Sequence, residues 1–137
     1  LLEKFNVQLS PVPLPELTEE VKHCLEEGEE VQETIRYCRE KMDIRVTEEE
    51  LEKIAALAVA MEHLVKKYHC NAGAIQCWNA LQGELGIMPC AANALLNEKG
   101  IPIVCETDIH GAITALMVEA AAFREKRSLR CLDYPAS

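Results

Sequence analysis

The segment IPIVCETDIHGAITA, residues 101–115, decides the fold that this sequence predicts. Its apolar start, residues 101–105, is typical of a buried strand, because such short apolar runs fill the interior of parallel sheets. Apolar residues at helical spacing follow from Ile109 and predict a helix from Asp108 to about Arg124. A strand that leads directly into a helix places the joining residues at the carboxyl end of the strand, where open α/β sheets bind ligands.

Two acidic residues, Glu106 and Asp108, occupy this junction. Negative charge is favourable beside a helix N-terminus, and either Asp108 or Thr107 is able to cap the helix. Glu106 precedes the cap and directly follows the apolar run, which leaves two interpretations open. It is either a structural residue paired with a nearby Arg or Lys, or a ligand that faces an open crevice with Asp133 close by.

Strand patterns and helix patterns alternate along the rest of the chain. Further strands are predicted at residues 5–14, near a sheet edge because of two prolines, at residues 72–78, and at residues 128–132. The predicted helices are one from an N-cap at Thr18 that breaks at Gly28, one opened by a capping box at residues 47–50, and short ones at residues 79–85 and 91–98.

This order of elements predicts an α/β fold. Strands that alternate with helices form parallel sheets with right-handed crossovers. We therefore expect a single domain at residues 1–137, built as three α/β/α layers around a Rossmann- or flavodoxin-like sheet of about four parallel strands. Because the chain opens without an initiator Met, we also expect it to be a piece of a longer protein.

Composition and charge disfavour several classes of partner. The formal net charge is −9 over 137 residues, which argues against nucleic acid or an anionic membrane as the main partner. No apolar run approaches the ~20 residues that cross a bilayer, and no signal peptide pattern precedes the first helix. Phosphate-binding loop motifs are missing from the sequence, so a nucleotide site has no support.

Cysteines and histidines receive a structural interpretation. None of the seven cysteines forms a CxxC pair, which disfavours a zinc ribbon and predicts reduced, mostly buried thiols in a cytoplasmic protein. Cys77 and Cys105 are predicted to pack in the core rather than to act as nucleophiles. A nucleophilic thiol needs a base, and His110, the nearest histidine in sequence, begins a helix and is not placed to serve as that base. Three other histidines lack ligand-like spacing and are predicted to be surface or packing residues rather than metal ligands: His23, His63 and His69.

The carboxyl ends of three parallel strands would share one edge of the sheet. That edge would gather Gln76, Trp78, Glu106, Asp108 and Asp133. Carboxylate and amide oxygens suit a hard divalent cation such as Mg²⁺ or Mn²⁺. A metal beside the carbonyl and hydroxyl of a sugar would polarise them, while a free carboxylate oxygen moves a proton.

The segment QCWNALQGELGIMPCAANALLNEKGIPIVCETDIHGAITAL, residues 76–116, resembles the middle domain of the L-fucose isomerase and L-arabinose isomerase superfamily, especially its fucose isomerase-like branch. The likeness covers about residues 73–117. It is carried by the Gln-Cys-Trp strand end, the Gly-Ile-x-Pro-Cys loop, the Leu-Asn-Glu-x-Gly-Ile-Pro segment and the Cys-Glu-x-Asp turn. Together, these four segments indicate the family far more specifically than any one of them does.

The resemblance implies an aldose–ketose isomerase that uses a divalent metal, usually Mn²⁺, and an enediol intermediate. It implies that Glu106 is a metal ligand and takes part in proton transfer, with Asp133 as the second catalytic and metal-binding acid. Gln76 and Trp78 would contact the sugar. Family members build the site between subunits and take a histidine ligand from further along the chain, so we expect a homo-oligomeric parent enzyme and a fragment that folds without catalysing.

Two other functions compete with the isomerase. One is a non-catalytic, flavodoxin-like module that binds a ligand or regulates a partner, because a fold alone does not fix function. The other is a signalling domain in which Glu106 and Asp108 bind Mg²⁺ and another Asp accepts phosphate. It is disfavoured, because the predicted strand that ends at Trp78 offers no acceptor Asp.

Overall fold

The computed structural model describes residues 6–77 and 81–122 of the chain. Three helices come first along the sequence: α1 (Leu14–Glu27), α2 (Glu29–Lys41) and α3 (Glu48–Lys67). They are followed by two short strands and three further helices: β1 (Gly73–Ala74), α4 (Gln82–Leu85), α5 (Cys90–Glu98), β2 (Ile103–Val104) and α6 (Ile109–Ala121).

Helix α3 is the centre of the hydrophobic core, and α1, α2 and α5 pack against it. Its middle, residues 55–61, is buried on every side, and small alanines there let the neighbouring helices approach closely. The predicted capping box at its start is confirmed. The Thr47 hydroxyl accepts a hydrogen bond from the Glu50 N–H at 3.2 Å, and the Glu50 carboxylate accepts one from the Thr47 N–H at 2.8 Å.

Gly28 divides the first helical segment into α1 and α2, as the sequence predicted. Its φ of 73° lies in the left-handed region, which glycine adopts without the steric cost of a Cβ. Its N–H donates to the Cys24 carbonyl and ends α1, while its own carbonyl accepts from the Gln32 N–H in α2. The turn lets both helices pack on α3.

The two strands run parallel and adjacent, with Gly73 opposite Ile103 and Ala74 opposite Val104. Helix α6 contacts both strands. A Schellman turn at Gly100 connects α5 to β2: the Ile101 N–H donates to the Leu96 carbonyl, and the Gly100 N–H donates to that of Asn97. The carboxyl ends of β1 and β2 therefore lie at the same edge.

The predicted three-layer sheet of about four parallel strands is wrong. Residues 6–77 and 81–122 are mostly helical and contain two paired strands of two residues each. The predicted strands at residues 72–78 and 101–105 are confirmed only as these short segments, and their parallel direction is confirmed. The predicted strand at residues 128–132 lies outside the described residues.

The predicted strand at residues 5–14 is also wrong. Residues 6–13 form no ladder, because Pro11 and Pro13 cannot donate backbone hydrogen bonds, and Leu14 already begins α1. Thr18 is accordingly not an N-cap. It lies inside α1, where its hydroxyl donates to the Pro15 carbonyl at 3.0 Å.

Nowhere in residues 6–77 or 81–122 is a helix both long and apolar enough to span a membrane.

Candidate functional site

The edge at the carboxyl ends of the strands presents Gln76 and Glu106, both of which are exposed. The Ile75 N–H donates to the Val104 carbonyl at 2.8 Å, and the Thr107 N–H donates to the Ile75 carbonyl at 3.1 Å. These two bonds continue the strand pairing up to the turn that carries Glu106. Of the predicted site residues, the structure thus brings Gln76 and Glu106 to one edge, whereas Trp78 and Asp133 lie outside the described residues.

The turn after β2 holds two consecutive residues in the left-handed region of backbone space. Glu106 has a φ of 60° and Thr107 has a φ of 55°. This conformation costs a residue with a side chain about 1–2 kcal/mol, and it is especially unusual for a β-branched residue such as Thr. Strained backbone of this kind is concentrated at functional sites, where the surrounding structure holds it in place.

Asp108 caps α6, as one of the two capping alternatives predicted. Its carboxylate oxygen Oδ1 accepts a hydrogen bond from the Gly111 N–H at 2.9 Å, and its carbonyl accepts one from the Ala112 N–H. The Asp108 N–H also donates to the Cys105 carbonyl, which closes the turn. Asp108 therefore has a structural role as the cap of α6. Of the two acids at this junction, Glu106 is the one that the cap does not use.

Within the described part of the chain, the Glu106 side chain contacts a thiol. The buried Cys77 thiol, 2% exposed, donates to the carboxylate oxygen Oε1 of Glu106 at 3.2 Å. Among the ion pairs formed by residues 6–77 and 81–122, none joins Glu106 to Arg or Lys. Glu106 is exposed, and the interpretation of its carboxylate as a ligand stays a prediction, since Asp133 lies outside the described residues. The Cys77 contact is a feature that sequence reasoning missed, although both residues lie in the motifs that carry the family resemblance.

A buried amide lies next to this turn. Asn93 on α5 is 1% exposed, and its Nδ2 donates to the Cys105 sulfur at 3.2 Å. Its Oδ1 meets no hydrogen-bond partner within the described chain. Exchanging the amide oxygen and nitrogen would leave an N–H open instead, so one polar atom needs a partner in either orientation. Cys105, which precedes Glu106, is thus contacted by an asparagine side chain that has one polar atom without a hydrogen-bond partner in the described chain.

The donors at the strand edge suit a hard cation but do not complete a site. The Glu106 carboxylate and the Gln76 amide offer the oxygen ligands that Mn²⁺ accepts. Within the part of the chain that the structure describes, however, only one set of three His, Cys, Asp or Glu side chains has its ligand atoms close enough together to hold an ion, and that set lies elsewhere. The predicted metal role of Glu106 with Asp133 therefore remains a prediction.

That other group lies at the break between α1 and α2, beside a cavity of about 350 Å³. The cavity is lined by one thiol, one imidazole, three carboxylates and two apolar residues: Cys24, His63, Glu27, Glu29, Glu30, Gly28 and Val59. Glu20 and Cys24 are four residues apart on α1, which places them on one face of the helix, and His63 reaches them from α3.

His63 lies between two carboxylates. Its Nδ1 is 2.8 Å from Glu20 Oε1, and its Nε2 is 2.6 Å from Glu30 Oε2. Partial burial lowers the pKa of the imidazole, but the hydrogen bonds to both carboxylates and their charges outweigh it and raise the pKa above its ordinary value. The sequence spacing gave no indication of this arrangement, because His63 is 39 residues from Cys24.

Cys24 completes the cluster. Its sulfur is 3.8 Å from His63 Nδ1, and the residue is 3% exposed. Burial, together with the charges of Glu20, Glu30 and Glu27, raises the pKa of its thiol to about 11. In the absence of a bound cation the thiol is therefore neutral at physiological pH.

Comparison with known proteins shows similarity to curated proteins named sulfoquinovose isomerase. The chain is 28% identical over 109 residues, 78% of its length, to those of Priestia aryabhattai and Priestia megaterium. It is 31% identical over 68 residues, 50% of its length, to that of Alkalicoccus urumqiensis. These alignments cover 24% and 15% of the relatives, so the chain spans about a quarter of the length of the curated relatives it matches. No family model and no solved structure matches the chain. Over most of its own length, the chain is thus similar to proteins named as isomerases of a sugar.

Proposed function

We propose that this chain is part of a sugar isomerase that interconverts an aldose and a ketose through an enediol, and that Glu106 moves the proton. The observation that carries this proposal is the exposed Glu106 at the carboxyl edge of two parallel strands, held in a strained turn. The similarity to sulfoquinovose isomerases supports the reaction class, and the family resemblance of residues 73–117 supports the choice of residue.

The chemistry asks for one carboxylate that removes a proton and returns it. Conversion of an aldose to a ketose transfers a proton from C2 to C1 and a proton from the C2 hydroxyl to the carbonyl oxygen. A base that takes the C2 proton leaves an enediol, and the same group, now an acid, delivers the proton to C1. Cys77 binds Oε1 of Glu106, so Oε2 is the oxygen that this role assigns to the substrate.

The finer assignments extend this proposal. Glu106 would hold Mn²⁺ or another divalent cation, with Asp133 as the second carboxylate. Once bound, the metal would polarise the carbonyl and hydroxyl of the sugar. Gln76 and Trp78 would contact the sugar, for which sulfoquinovose and L-fucose are the two candidates. The complete protein would be a cytoplasmic homo-oligomer in which this chain forms one part of a larger enzyme.

The experiment measures isomerisation by the complete protein and by the 137-residue chain alone. Each is incubated in D₂O with Mn²⁺ and either sulfoquinovose or L-fucose, and proton NMR follows the formation of ketose. We expect the complete protein to form ketose that carries deuterium, because the enediol exchanges its proton with solvent. The chain alone is expected to fold without turnover.

Glu106→Gln tests the role of the carboxylate, with Glu40→Gln as the matched control at an exposed position of α2. We expect Glu106→Gln to lower kcat by ~10²–10⁴, the usual contribution of a general base, and Glu40→Gln to leave it unchanged. Absence of ketose from both sugars with the complete protein would refute the isomerase proposal. Normal turnover by Glu106→Gln would refute the role of Glu106 alone.

A further inference from the structure

We propose that Glu20, Cys24 and His63 form a binding site for Zn²⁺ or a similar borderline transition-metal ion in the cleft between α1, α2 and α3. This site lies on other elements than Glu106 and does not depend on the proposed isomerase activity. It also differs in chemistry, because sulfur and nitrogen donors select a different class of ion from the oxygen donors at the strand edge.

The distances between the ligand atoms fit a tetrahedral ion. The Glu20 carboxylate oxygen, the Cys24 sulfur and His63 Nδ1 all lie within 4.8 Å of one another. The sulfur is 3.8 Å from Nδ1, and the Glu20 oxygen is 2.8 Å from Nδ1. Zn–S and Zn–N bond lengths place tetrahedral ligand atoms about 3.3–3.6 Å apart, so the two pairs that include Nδ1 need shifts of only about half an ångström or less at side-chain ends.

Glu30 supports the site from the other side of the ring. Its Oε2 is 2.6 Å from His63 Nε2, so that nitrogen donates to the carboxylate and Nδ1 is left to coordinate. A carboxylate on the second nitrogen of a metal-binding histidine fixes the tautomer and ring orientation and raises the basicity of the ligand. Glu30 reaches this position because the left-handed turn at Gly28 directs the first turn of α2 toward His63.

The charge and the space around the cluster favour a cation with an open coordination position. Glu27, Glu29 and Glu30 line the adjoining cavity, and their charges are left beside the ion when Cys24 and Glu20 neutralise it. Three protein ligands and a fourth position open to solvent are the arrangement of zinc sites that bind water or a small molecule. The cavity of about 350 Å³ offers room for either.

Binding exchanges protons for the ion. The Cys24 thiol loses its proton to the solvent when the Zn–S bond forms, and a charged imidazole also loses the proton on Nδ1. The charges of Zn²⁺, one thiolate and one carboxylate sum to zero, and no oxidant or reductant is required.

Cobalt is the direct probe, because a thiolate bound to Co²⁺ gives a near-ultraviolet charge-transfer band, and tetrahedral Co²⁺ absorbs strongly in the visible range. The 137-residue chain is stripped with a chelator and titrated with Co²⁺, and Zn²⁺ is then added to displace it. We expect one Co²⁺ per chain with both features, displacement by equimolar Zn²⁺, no displacement by excess Mg²⁺, and a Tm that rises with Zn²⁺.

Cys24→Ala and Cys38→Ala form the matched pair, since both remove a buried thiol from the helical core. We expect Cys24→Ala to lose the charge-transfer band and at least tenfold in affinity, and Cys38→Ala to keep both. Glu30→Gln is expected to keep the stoichiometry and lose roughly 10–100-fold in affinity, as other outer carboxylate partners do. Glu106→Gln should bind Co²⁺ normally, which separates this test from that of the proposed isomerase.

Two results would overturn the proposal. One is a weak, octahedral Co²⁺ spectrum from the wild-type chain. The other is retention of the thiolate band by Cys24→Ala, which would assign the metal to another cysteine. If Cys24→Ala does not fold, His63→Gln and Glu20→Gln supply the same comparison, and binding by both at wild-type affinity would likewise refute the site.

Discussion

Thr107→Gly is expected to stabilise the protein, although glycine usually destabilises. Thr107 has a φ of 55° and an exposed side chain, so the substitution removes backbone strain and no packing. Relief of a left-handed β-branched residue returns about 1–2 kcal/mol. The greater freedom of glycine in the unfolded chain costs roughly 0.5–1 kcal/mol of this gain.

The net expectation is a rise of about 0.5–1 kcal/mol in the free energy of unfolding. For a domain of this size that corresponds to an increase in Tm of about 2–4 °C. Urea denaturation followed by far-UV circular dichroism measures the free energy, and a thermal scan measures the Tm. The slope of the urea transition should stay unchanged, because the surface exposed on unfolding is the same.

Thr114→Gly is the matched control. Thr114 is also exposed but lies inside α6, where its hydroxyl donates to the His110 carbonyl at 2.8 Å. Glycine is a poorer helix former than threonine, so this variant should lose about 0.5 kcal/mol. Opposite signs for the two variants are the expected result. If Thr107→Gly destabilises the protein as much as Thr114→Gly does, the turn after β2 is not strained and the argument fails.

Three further substitutions test the helical core and its electrostatics. Leu57→Ala should lower the free energy of unfolding by about 3–5 kcal/mol, because this leucine is fully buried in α3; a loss below 1 kcal/mol would contradict that packing. Thr47→Ala removes the cap of α3 and should cost about 1 kcal/mol in urea denaturation, whereas no change would mean that the capping box is not formed. Hydrogen bonds from Lys67 and Tyr68 lower the pKa of Glu16 below its ordinary value, so its stabilising effect is present above the ordinary pKa and disappears as pH falls through the lowered pKa. Glu16→Gln should therefore flatten the acid side of the stability–pH curve, and an unaltered curve would contradict this pairing.

The features predicted correctly from the sequence are those encoded locally. The capping box at Thr47 and the break at Gly28 each depend on residues within one turn, and the structure shows both. The cap at Asp108 is of the same kind, because a single side chain reaches a backbone N–H three residues away. Such contacts form in the same way in any tertiary context, so the sequence is sufficient to predict them.

The extent of the sheet could not be predicted, because strands require partners that are distant in sequence. Residues 72–78 and 101–105 are apolar enough for full strands, yet among the described residues only Gly73–Ala74 and Ile103–Val104 form the strand ladder. At residues 6–13 the alternation of apolar residues suggested a strand, but the prolines and the start of α1 at Leu14 prevent it.

The candidate sites show the same division. The position of Glu106 at a strand end followed from residues 101–109, and the parallel pairing confirms that its edge is shared with Gln76. The cluster around His63 joins residues separated by 33 to 43 positions, and only Glu20 and Cys24, four apart on α1, share a pattern visible in the sequence. Contacts across helices depend on how α1 and α2 pack on α3, which no local rule supplies.

Stability and the geometry of the strand edge reside in different parts of this molecule. The core is concentrated around α3, whereas the position of Glu106 depends on a few backbone hydrogen bonds between β1, β2 and the turn that follows. A Cβ on Gly73 would lie 2.7 Å from the end of the Ile103 side chain, so alanine there would require that side chain to move. Small pairings of this kind open more readily than a packed core. Substitutions around α3 should therefore change the free energy of unfolding with little effect on Glu106, while substitutions at Thr107 should act on the turn that holds Glu106 and leave the helical core intact.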